Sequence, residues 1–268
     1  MAKKEERQVE HIEERSTPPT PVIYEIVRRY GEDEMSRPAT SLWWSGLAAG
    51  LSMSFSLFAE AVLRMRLPEA DWAKLVIALG YPVGFLMAVL GRQQLFTENT
   101  ITVVLPVMAQ PSAGNFSRAG RMWAIVLGAN LAGTLFAVLF ATFTPVVSPD
   151  LREAMLAIAR ENVQHGEWTT LLFHAITAGF LMAAMVWLIP AAGNAQFHVI
   201  VLMTYVIGIA GAAHIVAGSV ESFLLVANGE LGVLSMLGGF TLPVLIGNIL
   251  GGTVLFALLS YAQVMKEI

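Results

Sequence analysis

Leu75 to Ala109 reads LVIALGYPVGFLMAVLGRQQLFTENTITVVLPVMA, 35 mostly apolar residues split in the middle by Gly91-Arg92-Gln93-Gln94-Leu95-Phe96-Thr97-Glu98-Asn99. At 1.5 Å per residue a single straight helix of this length would run about 52 Å, against a hydrocarbon core of roughly 30 Å. A lipid-facing helix could not carry the polar middle either, because bilayer hydrocarbon offers no water to its side chains or to the backbone groups they displace. The stretch is therefore expected to be two half-helices joined at a break inside the membrane. A second run repeats the anomaly: Phe197 to Asn228 is 32 residues long, and its middle, Gly208 to Glu221, is punctuated by Gly208, Gly211, His214, Gly218, Ser219 and Glu221.

Four uninterrupted apolar stretches complete the pattern: Trp43 to Leu63, Met122 to Phe143, Trp168 to Ile189 (ended by Pro190) and Thr241 to Val264. Together with the two interrupted runs they make six spans, hence an all-α polytopic membrane protein. The composition agrees, with 56% hydrophobic and 13% charged residues in 268, where soluble domains carry about 25% charge. A net charge of −4 without clustered Lys and Arg gives nucleic acid no phosphate-binding surface. The absence of cysteine removes disulfides, thiolate metal sites and cysteine nucleophiles.

Residues 1–21, with the run Ser16-Thr17-Pro18-Pro19-Thr20-Pro21, are expected to be a disordered tail, and Met1 to Arg7 leads into no apolar segment of signal-peptide type. Residues 22–37 form a second region. In it Ile23, Ile26 and Val27 share one helical face, predicting a short amphipathic helix on the membrane surface or against a neighbouring subunit. Residues 38–268 form the six-span transport domain. Between spans three and four, Leu151, Met155, Ile158 and Ala159 predict a surface helix. Lys and Arg gather on the side of the N-terminus, which places both termini in the cytoplasm.

The two halves of the chain resemble each other. Asn130-Leu131-Ala132-Gly133 in the third span matches Asn248-Ile249-Leu250-Gly251 in the sixth, and Ala49-Gly50 in the first matches Ala178-Gly179 in the fourth. Three spans per half force the halves into opposite orientations, giving an inverted 3+3 repeat with spans two and five broken. In such folds, paired interrupted helices meet near the bilayer midplane and line a polar route.

With Leu95-Phe96-Thr97 breaking the second span, His214 beside the break in the fifth, and the Asn/Gly motifs of the third and sixth, the chain resembles the formate/nitrite transporter family from about Val22 onward. The resemblance implies an aquaporin-like protomer in a homopentamer of independent pores in a bacterial inner membrane. It further implies passage of a small monovalent anion or its conjugate weak acid, passive or proton-linked, past apolar constrictions flanking the histidine. Aligned on the motif, the constriction positions are Tyr81, Phe85, Leu95, Phe96 and Ile207. Two departures bear on the solute: Ala183 stands where the family usually has an asparagine in the fourth span, and Glu167 where it has a lysine near the outer mouth. A pore for a small neutral or cationic solute, ammonia or ammonium for instance, is the alternative, and a nonconducting membrane scaffold is a third reading.

His214 can donate a hydrogen bond or a proton to a passing anion, or brace the broken helix as a neutral imidazole. The Thr97 hydroxyl can reach solute, imidazole or a loop carbonyl. Arg92, Glu98 and Glu221 are costly at an unprotected bilayer centre, so they are expected to pair with one another or face water, and in the functional reading to tune selectivity. His174 and His198 are expected to be packing histidines, and His11 and His165 solvated. Glu60 is expected to snorkel to the outer interface or to mark the vestibule. No metal-ligand cluster, phosphate loop or nucleophile elbow occurs, so neither an enzyme nor a bound cofactor or metal is expected.

Overall fold

The computed structural model describes residues 18–164 and 167–268 and is entirely helical there. The expectations for residues 1–17, for His11 and for His165 lie outside the described residues. The helices, in chain order, are α1 Thr20–Ser36, α2 Ala39–Arg66, α3 Asp71–Leu90, α4 Phe96–Thr102, α5 Val104–Ala109, α6 Ala113–Phe143, α7 Pro149–Ala159, α8 Trp168–Ala192, α9 Gln196–Ile209, α10 Ile215–Ala227 and α11 Val233–Val264. Helices α2, α6, α8 and α11 are the unbroken spans. Span two is α3 followed by α4 and α5, and span five is α9 followed by α10. Both long apolar runs are thus interrupted where their polar residues fall.

The two breaks are built alike. In the first, the Gln93 amide donates to Ala88 O at 2.9 Å around Arg92, whose φ is 51°. In the second, the Ala212 amide donates to Ile207 O at 3.0 Å around Gly211, whose φ is 60°. Each is a helix C-terminus closed by one left-handed residue and a bond reaching back five positions. Glycine adopts that conformation freely and arginine at a cost.

The shared geometry of the halves extends to the asparagines. Asn130 Oδ1 accepts from the Phe96 amide at 2.9 Å, and its Nδ2 donates to Gly46 O and Gln94 O at 2.7 and 2.9 Å. Asn248 Oδ1 accepts from the Ile215 amide at 2.8 Å, and its Nδ2 donates to Ala175 O and Ala213 O at 2.8 and 2.9 Å. One side chain in each half therefore satisfies backbone groups that the break releases where water is absent. The asparagines come within reach because α2 crosses α6, and α8 crosses α11, with almost no space between backbones. A Cβ on Gly133 would sit 2.3 Å from Leu47 O, and one on Gly251 2.1 Å from Ile176 O.

Three boundaries differ from the sequence reading. Pro190 lies inside α8 rather than ending it, and the helix runs on to Ala192, so only its final turn has to accommodate the missing amide donor. The sixth span begins at Val233, and it is not a regular α-helix: π-turns occupy Met236–Thr241 and Leu250–Ala257. The second π-turn lays Gly252 and Thr253 on α4, where Thr253 Oγ1 donates to Thr100 O at 2.7 Å. Helix α1 is also longer than expected, and it turns Tyr24, Val27, Gly31 and Met35 onto the chain's own helices. A Cβ on Gly31 would lie 1.7 Å from Thr102 O, so α1 rests directly on the end of α4.

Candidate functional site: the junction of the two breaks

Where the breaks meet, Thr97 Oγ1 and His214 Nε2 are 2.7 Å apart. Both residues sit at the start of a half-helix, Thr97 in the first turn of α4 and His214 as the N-cap of α10. The His214 Nδ1 accepts from the Ala217 amide at 3.2 Å. With Nδ1 so used, the ring hydrogen belongs to Nε2, which donates to Thr97 Oγ1. The Thr97 hydroxyl hydrogen is left to donate elsewhere. Of the two roles read for His214, the geometry fits the brace: a second ring proton would have to displace the Ala217 cap.

Around this pair the side chains are apolar. Phe85 is fully buried and sets its ring edge to His214, centroids 5.0 Å apart, and against Tyr81 at 5.2 Å. Leu95 and Phe96 are buried beside them, and Phe96 meets Trp123 edge-on at 5.8 Å. On the side opposite α1, a cavity of about 450 Å³ descends to His214, lined among others by Tyr81, Ile207, Ala212, Glu60, Glu221 and Phe240. Of the constriction residues inferred by resemblance, Tyr81 and Ile207 therefore face this cavity, whereas Phe85, Leu95 and Phe96 are buried and do not line it.

The ionisable residues are arranged differently from expectation. Arg92 is exposed in the first break and makes no ion pair with Glu98 or Glu221 among the described residues. Counting from the clamped amides of Phe96 and Ile215, Glu98 corresponds to Ala217, and Glu221 to Thr102. The two glutamates thus stand at different registers, Glu98 within electrostatic reach of Glu34 of α1 and Glu221 in the cavity wall, and two acids of like charge make no ion pair with each other. Glu221 accepts from Asn162 at 2.9 Å, and one Glu98 oxygen is buried without a hydrogen-bond partner.

Glu60 does not snorkel: α2 continues to Arg66, which leaves this carboxylate buried in the cavity wall. His174 and His198 are not packing residues within the protomer either. Both are exposed, His174 at the cavity edge and His198 against the Phe197 ring.

A polar cluster beneath the first break escaped the sequence reading. Glu34 of α1 accepts from Gln94 Nε2 at 3.0 Å, Thr102 Oγ1 at 2.8 Å and Asn99 Nδ2 at 3.4 Å. Burial pushes the Glu34 carboxyl above its ordinary range, against the pull of the Gln94 and Thr102 donors. On the outer face of the same helix, Glu25 bonds Arg28 at 2.8 Å and Arg29 at 2.6 Å, and Arg28 also reaches Glu32. Chiefly through the Arg28 bond, the Glu25 carboxyl is held down at about 2. The signal for Glu34 was faint, since an acid in an amphipathic helix is usually solvated.

Comparison with known proteins agrees with this architecture. The model of the family described as "Formate/nitrite transporter" matches residues 21–262. The chain is 41% identical to "Inner membrane protein YfdC" of Escherichia coli (strain K12), over 97% of this chain and 84% of that one. It is 25% identical to "Formate channel BtFdhC" of Bacillus thuringiensis, over 91% of this chain and 95% of that one. A solved structure, "Pentameric formate channel with formate bound", superposes with a TM-score of 0.70 at 17% identity, covering 86% of this chain and 98% of that one.

Proposed function

The chain belongs to the formate/nitrite transporter family, multi-pass membrane channels and transporters rather than enzymes, and from this and the junction geometry we propose that it conducts a small monovalent anion that crosses the closure as its conjugate weak acid. Formate and nitrite are the model solutes. The observation that carries this reading is the Thr97–His214 pair, a single polar contact enclosed by Phe85, Leu95 and Phe96. A bare anion there would have to shed its hydration among apolar side chains, whereas a neutral acid needs only one or two hydrogen bonds. The Thr97 hydroxyl hydrogen, free of the imidazole, is placed to supply one.

In this reading His214 fixes the hydroxyl's direction and the solute brings its own proton, so flux follows the concentration of neutral acid. The proposed assembly is a homopentamer with one pore per protomer, by analogy with the superposed pentameric channel, set in a bacterial inner membrane with both termini cytoplasmic. The cavity then opens outward.

Reconstituted vesicles provide the test, with a panel of formate, nitrite, hydrosulfide, acetate, ammonium and water. Formate flux should rise as pH falls, drop about tenfold or more in T97V, and keep its pH dependence in H214N. Loss of the pH dependence in H214N would give the imidazole the proton role denied it here. One observation favours a second reading: Glu60 and Glu221 in the cavity repel anions and suit a neutral or cationic solute such as ammonia. Ammonium passing while every anion fails would replace the first reading by the second, and no flux of any solute would favour the scaffold.

A further inference from the structure

Glu60 is 7% exposed, lines the cavity, and has no hydrogen-bond or ion-pair partner among the described residues. Glu221, 5% exposed, faces the same space within electrostatic reach of Glu60, and only its Oε1 is engaged, by Asn162 Nδ2 at 2.9 Å. The remaining charged groups around the cavity do not answer this pair. Arg64 is bonded to Glu161 at 2.8 Å, and Lys74 is exposed and without an ion pair among the described residues. Among the described residues of the cavity wall, three acids, Glu60, Glu161 and Glu221, stand with two bases, Arg64 and Lys74. Two buried acids in one low-dielectric cavity wall are costly as carboxylates, and a bound cation relieves that cost without their taking up a proton.

We propose that Glu60 and Glu221 bind one small monovalent cation with N–H donors, ammonium or a small primary ammonium, in the cavity above the closure. Three carboxylate oxygens, both of Glu60 and Oε2 of Glu221, take no hydrogen bond from the protein, and an ammonium offers four tetrahedral donors to meet them. A hard metal ion is a poorer match, because calcium takes six to eight oxygens and no group of three potential metal ligands occurs among the described residues. The site stands whichever solute crosses the closure. A cation held there also offsets the charge that would otherwise turn an anion away.

The test is equilibrium binding of radiolabelled methylammonium to the purified full-length protein in lipid nanodiscs at neutral pH, for wild type, E60Q, E221Q and E60D. The expected result is one saturable site per chain, competed by ammonium and weakened about tenfold or more in each glutamine variant. No saturable binding, binding indifferent to both glutamine substitutions, or displacement by calcium at lower concentration than by ammonium overturns the proposal. Should a glutamine variant fail to fold, E60D decides, since it withdraws the carboxylate by one methylene at constant charge: weakened binding supports the site and unchanged affinity overturns it. Formate flux in vesicles from the same preparation is a separate reading. Its absence removes the weak-acid proposal and leaves the site standing, while normal flux without methylammonium binding removes the site alone.

Discussion

Replacing Asn248 by alanine removes three hydrogen bonds at once, and the structure says which groups suffer. Ala175 O lies within α8, where the helical bond remains, so its loss is that of one ordinary bond, about 1 kcal/mol. The Ile215 amide, buried, and Ala213 O, part-buried, lie at the break and have no helical substitute, so each is orphaned at about 1–3 kcal/mol. The expected destabilisation is roughly 3–7 kcal/mol. Asn130→Ala should cost the same to within about 1 kcal/mol, because it orphans the Phe96 amide and Gln94 O and weakens Gly46 O in the same way. Thermal unfolding of the detergent-solubilised protein, followed by size-exclusion fluorescence, measures both. At about 2–4 °C per kcal/mol, each variant should melt about 6 °C or more below wild type. A loss under about 1 kcal/mol in either variant, or one costly variant beside a silent one, would refute the reasoning that each asparagine closes its own break.

Other outcomes follow from single positions. Gly133→Ala should destabilise by about 1–3 kcal/mol by thermal melting, since its Cβ would meet Leu47 O at 2.3 Å and backbone cannot swing aside. Arg92→Gly should stabilise by up to about 1 kcal/mol, whereas Gly211→Ala should destabilise by about the same, because both hold the left-handed turn of their break. The two acids of α1 should respond to pH with opposite signs. Glu34, raised in the folded state, contributes stability that is fully present below its unfolded value and is lost as pH rises through the folded one. Glu25, held at about 2 against 4.5, contributes stability above 4.5 that is lost as pH falls toward 2. Hydrogen exchange in α1 of E34Q and E25Q, followed across pH, should lose each dependence in turn; a slope unchanged in E34Q contradicts the assignment.

The broken spans were legible because a polar insertion in a bilayer run has few physical solutions, and a matching one in the other half leaves fewer. Asn130 and Asn248 were readable as helix ties from their glycine neighbours, yet their targets were not, since Gly46, Gln94, Ala175 and Ala213 contribute only backbone oxygens. Glu60 stayed undecided between snorkelling and the vestibule because an acid about one turn from the end of a hydrophobic run suits a snorkelling chain and a cavity wall equally well. Only the extension of α2 to Arg66 separates them. Gly211 announced its turn through its residue type, whereas Arg92 in the same conformation gave no such sign. The π-turns of α11 stayed hidden, since paired glycines at 238 and 239 or 251 and 252 suit close packing as readily as a widened turn.

The central claim is that the two breaks meet at a closed junction at the foot of the cavity on the face opposite α1. Because the chain contains no cysteine, single cysteines can be placed in the otherwise native protein and probed with a membrane-impermeant thiol reagent from either face of the membrane. Cysteine at Ala212, in the cavity wall, should react only from the face opposite α1, cysteine at exposed Ser36 of α1 only from the other face, and cysteine at buried Thr97 from neither. Reaction of the Ala212 position from the α1 face, or of the Thr97 position as fast as the Ala212 position, would contradict it.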